Sequence, residues 1–202
     1  MPLPATAMAS ADLAGRLWRA SLLRGLVALA LGAYVLSRPI GSPAGLVRIV
    51  AAYWLCDGLL ALWASRFTAT LRHNRALLVA RGVGGIVTAL LLLGLPLNEI
   101  FGPWQPGRIM LFILTMVPAL TAIVLQVVMA ATIDFLIGLE VRRRMPGEWS
   151  VALGAVVSII LGGLAAAGFL GFSAVPARLL GPVCAGGGLG LIAGSIRLRA
   201  AR

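Results

Sequence analysis

Long apolar runs, each bracketed by arginine, constrain this chain more than any motif in it. All seventeen basic residues are Arg. They sit at the breaks between greasy stretches and gather at every second break. A bilayer core of roughly 30 Å is crossed by about 20 helical residues. Six windows meet or approach that length: Leu17 to Leu36, Ala44 to Ala64, Leu77 to Leu95, Ile109 to Leu139, Val151 to Phe172 and Leu179 to Ile196. Lipid offers no partner to an open backbone amide, so each window is expected to be helical. The alternation of a β-barrel strand is absent. Pro118 lies inside the long fourth window, where it either kinks the helix or marks its start.

Composition agrees with a lipid setting. With 60% hydrophobic and 11% charged residues, a soluble domain of 202 residues could not hide its apolar surface. The net charge of +11 does not point to nucleic acid, because the arginines flank spans and form no single basic face. They read as topology signals. Thirteen fall on one side of the expected membrane: Arg16, Arg19, Arg24, Arg66, Arg72, Arg75, Arg81, Arg142, Arg143, Arg144, Arg197, Arg199 and Arg202. Four fall on the other: Arg38, Arg48, Arg108 and Arg178. That bias places both termini in the cytoplasm. The stretch from Met1 to Ala11 has no basic n-region, so the first span is expected to stay as an anchor.

The chain repeats. Arg24-Gly25 is followed by Pro39, and Arg81-Gly82 by Pro96 at the same spacing. In a third copy Leu153-Gly154 stands where the Arg-Gly pairs stand. The returning helices match too: Asp57, Asp134 and Gly188 each lie nine residues before an arginine (Arg66, Arg143, Arg197). The expected fold is therefore all-α and transmembrane, six helices arranged as three tandem helical hairpins. Residues 1–13 are expected to be a mobile segment. Residues 14–202 form one membrane domain, with hairpins at about 17–66, 75–144 and 149–199.

Arg24-Gly25, Gly32 and Pro39, followed by Tyr53-Trp54-Leu55-Cys56-Asp57-Gly58, carry a family resemblance. The chain from about Trp18 onward resembles the HdeD-type acid-resistance membrane proteins of bacteria. Two departures stand out: Phe135 follows Asp134 where the first copy has Gly58, and the outer connection at 98–107 is long. The resemblance implies a multi-pass protein of the bacterial inner membrane, tied to acid or envelope stress. It implies no reaction and no catalytic residues.

Four intramembrane charges are the candidate site. Helix rise puts Asp57 roughly 13 Å from both Arg48 and Arg66, deep in hydrocarbon. Asp134 is comparably deep, and Arg24 and Arg81 lie inside the membrane edge. An ionised group at that depth is paired, neutralised or facing water. Copies one and two keep both Arg and Asp, whereas copy three has neither. This points to ion pairs, Arg24 with Asp57 and Arg81 with Asp134. Two other readings stand beside it: arginines snorkelling to headgroups, and a proton or solute path lined by Asp57 and Asp134. Side-chain lean works against pairing, since it aims Arg24 and Asp57 apart.

Gly186, Gly190 and Gly194 recur every fourth residue and are expected to form a helix-packing face, toward span five or toward a second copy in a homo-oligomer. Arg142, Arg143 and Arg144 form a basic run, a topology signal or a contact for anionic lipid. Cys56 and Cys184 lie in apolar runs and read as small hydrophobes. His73 is the single histidine. No catalytic, cofactor or metal site can be assembled from these residue types, and the expected class is non-enzymatic.

Overall fold

The computed structural model describes residues 5–37, 42–67, 72–95, 108–144, 150–169 and 174–200. Among them lie the helices α1 (Ala5–Ser37), α2 (Pro43–Phe67), α3 (Arg72–Gly94), α4 (Arg108–Arg144), α5 (Ser150–Phe169) and α6 (Ala174–Ala200). The protein is all-helical over the described residues. Five segments are long and apolar enough to cross a bilayer: Trp18–Ser37, Ala44–Arg66, Arg75–Gly94, Ile113–Leu139 and Arg178–Arg197. The fifth expected window falls in α5, a 20-residue helix whose side chains are described over Leu153–Leu164 and are predominantly apolar there.

Local chemistry explains the helix boundaries. Ser42 caps α2: its hydroxyl accepts from the Gly45 amide at 3.1 Å, and its carbonyl accepts from the Leu46 amide at 3.2 Å. Pro43 follows at the first helical position, where its missing N–H costs nothing. In α4 the helix runs through Pro118 without a break in assignment. Three residues on, the Thr121 hydroxyl donates to the Val117 carbonyl at 2.8 Å. At the amino end the helix reaches back to Ala5, across most of the segment expected to be mobile. Its residues there, rich in Ala with Met and Leu, are good helix formers. Pro39, Pro96 and the connection at 98–107 lie outside the described residues.

Polarity is arranged opposite to that of a water-soluble bundle. Large apolar side chains face outward, with Met110 at 78% exposure and Leu114 and Leu125 at 68%. The buried set includes Asp57, Arg81, Thr88, Gln126, Asp134, Ser158 and Ser195. Such a surface is stable only against hydrocarbon. The interior is completed by Leu46, Val47, Tyr53, Leu92, Ile123, Leu161 and Leu180.

Each helix packs on its neighbours in sequence, and α6 returns to α1, closing the order into a ring. The most extensive pairings are α1 with α6, α2 with α3 and α4 with α5. These join the expected hairpins to one another. Contact within the first two hairpins, α1 with α2 and α3 with α4, is lighter. Glycine accounts for the difference. A Cβ on Gly25 would stand 2.9 Å from the Gly188 carbonyl oxygen, and one on Gly58 would stand 2.8 Å from that of Gly82. At those crossings backbone touches backbone, the close approach that dispersion in lipid rewards. Between α4 and α5 a Cβ on Gly162 would collide with Val127. Phe135, which stands where the first copy has Gly58, turns outward at 55% exposure.

The expected face of Gly186, Gly190 and Gly194 is divided. Gly186 meets nothing within 4 Å, while Gly190 faces the Leu153 side chain on α5. On α6 it is Gly188 that abuts the α1 backbone, where a Cβ would lie 2.7 Å from the Leu29 amide, and on α1 a Cβ on Gly32 would lie 2.6 Å from the Ala185 amide. A row of every-fourth residues drifts about 40° per step around a helix of 3.6 residues per turn. Gly186 therefore points away from the side that Gly181, Cys184, Gly188 and Leu191 bury.

Candidate functional site: a buried arginine–aspartate cluster

Four helices each bring one charge to a single interior point. Arg24 comes from α1, Asp57 from α2, Arg81 from α3 and Asp134 from α4. The Arg24 Nε lies 2.7 Å from Asp57 Oδ1, and Arg24 Nη2 donates to Asp134 Oδ2 at 3.1 Å. Arg81 Nη2 donates to Asp57 Oδ2 at 2.7 Å, and Arg81 Nη1 donates to Asp134 Oδ1. Each guanidinium bridges both carboxylates, and each carboxylate receives both guanidiniums. The sequence suggested two separate pairs, and the structure holds one four-membered ring containing them. Side-chain exposure is 13% for Arg24, 8% for Asp57, 5% for Arg81 and 2% for Asp134, so neither arginine extends to the surface. The reach of arginine overcomes the opposing lean of the helical side chains.

The residues beside the charges explain why they meet. Gly25 follows Arg24, Gly58 follows Asp57 and Gly82 follows Arg81. Each of these glycines abuts a neighbouring helix backbone. The adjoining charged residue is thereby rotated toward the interior side of that contact. In α5, Leu153 replaces the arginine of the repeat, but Gly154 remains. A Cβ there would stand 2.8 Å from Arg24 Nη1 and 3.2 Å from Asp134 Oδ2, so its absence makes room for the ring. One turn on, Ser158 Oγ accepts from Arg24 Nη2 at 3.2 Å. The copy without charges thus supplies space and a hydroxyl. Neither Ser158 nor Gly154 was singled out for this role by the repeat comparison. The readable signal was a lone hydroxyl at helical spacing from a retained glycine.

Electrostatically the ring is neutral, two guanidiniums against two carboxylates. Each ion alone would cost several kcal/mol to bury, and mutual pairing offsets that cost when the polar atoms are satisfied. Satisfaction is incomplete. The Arg24 Nε contact with Asp57 lacks hydrogen-bond geometry, and Arg81 Nε has no partner among the described residues. The Tyr53 hydroxyl, buried beside Arg24, also makes no hydrogen bond of proper geometry among the described residues. Away from the ring, Gln126 packs against Gly84 and Gly85 with its Oε1 unpartnered among the described residues.

Other sequence candidates lie elsewhere. Cys56 is exposed and Cys184 buried, both as free thiols. Arg142, Arg143 and Arg144 form the last turn of α4 and His73 lies in the first turn of α3, with their side chains outside the described residues. Among the described residues no three His, Cys, Asp or Glu side chains converge to hold a metal.

The chain matches no protein-family model, no curated protein and no solved structure. Its site therefore has to be interpreted from its own chemistry.

Proposed function

We propose that this is a non-enzymatic, six-span protein of the bacterial inner membrane, of the HdeD type, that supports tolerance of acid or envelope stress. Its three tandem hairpins stand with both termini in the cytoplasm. The Arg24–Asp57–Arg81–Asp134 ring locks the hairpins together inside the bilayer. The observation that carries this reading is the closure of the ring. Both acids are engaged by two guanidiniums each, which leaves neither Asp57 nor Asp134 free for a cargo ion or for general acid–base chemistry. A bundle held this way is suited to reinforce a membrane or scaffold partners while staying tight to protons.

A second reading is favoured by the unfilled polar atoms beside the ring: a small-solute or proton transporter using Asp57 and Asp134, with Tyr53 on the path. Vesicles loaded with a pH-sensitive dye separate the two. The structural reading expects proteoliposomes to hold an imposed pH gradient as well as empty vesicles do. A flux abolished by Asp57→Asn would replace it with the transporter. The physiological half is tested by survival of cells lacking the protein after a shift to acid, with and without restoration of the gene. Equal survival would remove the stress role and leave the membrane architecture untouched.

A further inference from the structure

We propose that the bundle end where α1 enters and α6 leaves its apolar span binds the phosphate of an anionic phospholipid through Arg19 and Arg199. The two guanidiniums share one indole. Arg19 stands 5.7 Å and Arg199 5.5 Å from the Trp18 ring centroid. Two full positive charges are thus held no more than about 11 Å apart. Neither has a carboxylate partner among the residues whose side chains are described. The neighbouring sequence adds positive charge, with Arg16, Arg197 and Arg202 nearby in the chain against Asp12 alone. The indole N–H is buried with no acceptor among the described residues. An aromatic plate carrying two forked donors is a site for an anion.

Its location selects a lipid over a free ion. α1 and α6 run antiparallel, Gly25 crossing Gly188 and Gly32 crossing Ala185, which brings Trp18 and Arg199 to the same end. In the sequence the apolar run of α1 begins beside Arg16 and Arg19, and that of α6 ends at Arg197 and Arg199. The site therefore lies at headgroup level, where tryptophan collects. One to two turns deeper, Leu23, Leu26 and Ile196 are exposed outward at 37%, 46% and 59%. They offer acyl chains a track directly below the phosphate. A zwitterionic headgroup brings its own cation to the two arginines, whereas phosphatidylglycerol brings a net negative charge. The preferred occupant is the latter class.

Native mass spectrometry of the full chain in detergent tests this, with phosphatidylglycerol, phosphatidylethanolamine and inorganic phosphate as separate probes. Phosphatidylglycerol is expected to be retained in preference to phosphatidylethanolamine. Affinity should fall roughly fivefold for each guanidinium removed, by Arg19→Gln or Arg199→Gln, and about 25-fold for both. Arg48→Gln, at the opposite end of its span, should leave binding unchanged. Unaltered binding in the double variant overturns the proposal, as does an equal loss in Arg48→Gln. Displacement of the lipid by inorganic phosphate at matched concentration also overturns it, since the site would then belong to a free anion. Arg199 precedes the last residue of α6 and lies outside the core. Arg199→Gln alone, checked for a wild-type melting curve, decides the matter if the double variant does not fold.

Discussion

Asp134 is the least exposed member of the charge ring and receives both arginines, so its loss is the most informative single change. Asp134→Asn leaves two guanidiniums facing one carboxylate in a medium that cannot screen them. The expected cost is about 3–5 kcal/mol, read as a large fall in the melting temperature of the detergent-solubilised protein. Removing one charge of each sign is milder. Arg81→Met with Asp134→Leu restores neutrality and leaves the Arg24–Asp57 contact in place. The double variant should be more stable than Asp134→Asn, with a coupling energy of about 1–3 kcal/mol in a double-mutant cycle. Additive losses would show that the four residues do not act as one ring. Much of this site was legible beforehand. The joint presence of Arg and Asp in two copies, and their joint absence in the third, marked the four residues as mutually dependent. What the repeats could not convey is that both pairs occupy one place. Spacing along a helix gives depth and angular position on that helix, and says nothing of which neighbour stands opposite.

At the level of helices, glycine decides who touches whom. Gly25 and Gly188 bring α1 and α6 into backbone contact, whereas Gly186 faces open space on the same helix. Gly25→Leu should therefore wedge the two helices apart and destabilise the fold by about 1–3 kcal/mol. Gly186→Leu should be tolerated, with a melting temperature at or above that of the wild type, since it also removes a flexible residue from a helix. Comparable losses from both substitutions would contradict the packing described. The regular Gly186, Gly190, Gly194 row is the more visible pattern in the sequence, yet it is Gly188 that meets the α1 backbone. Three small residues in succession, Gly186 to Gly188, leave the facing side of α6 undetermined by local pattern. The lipid-facing side of a membrane helix is as apolar as its packed side, so hydropathy offers no tie-break.

For the molecule as a whole, the arginine bias is the basis of the proposed direction across the bilayer. In an otherwise cysteine-free background, a membrane-impermeant thiol reagent should label Arg66→Cys only from the cytoplasmic side and Ser37→Cys only from the opposite side. The reverse pattern would overturn the proposed orientation of the termini. Because five helices are apolar over span length among the described residues, the architecture up to this point follows from properties summed along the chain. Hydrocarbon forces every amide to find its partner within its own helix, so a greasy run of sufficient length is a spanning helix whatever surrounds it. Run length, arginine position and the depth of each buried charge were therefore determined by sequence alone. Ring closure through α1 and α6, the merging of two ion pairs into one neutral cluster, and the recruitment of Ser158 and Gly154 were decided only by tertiary structure. Those features depend on the rotation and order of helices about one another. Backbone contact at a few glycines fixes that rotation, and no local periodicity encodes it.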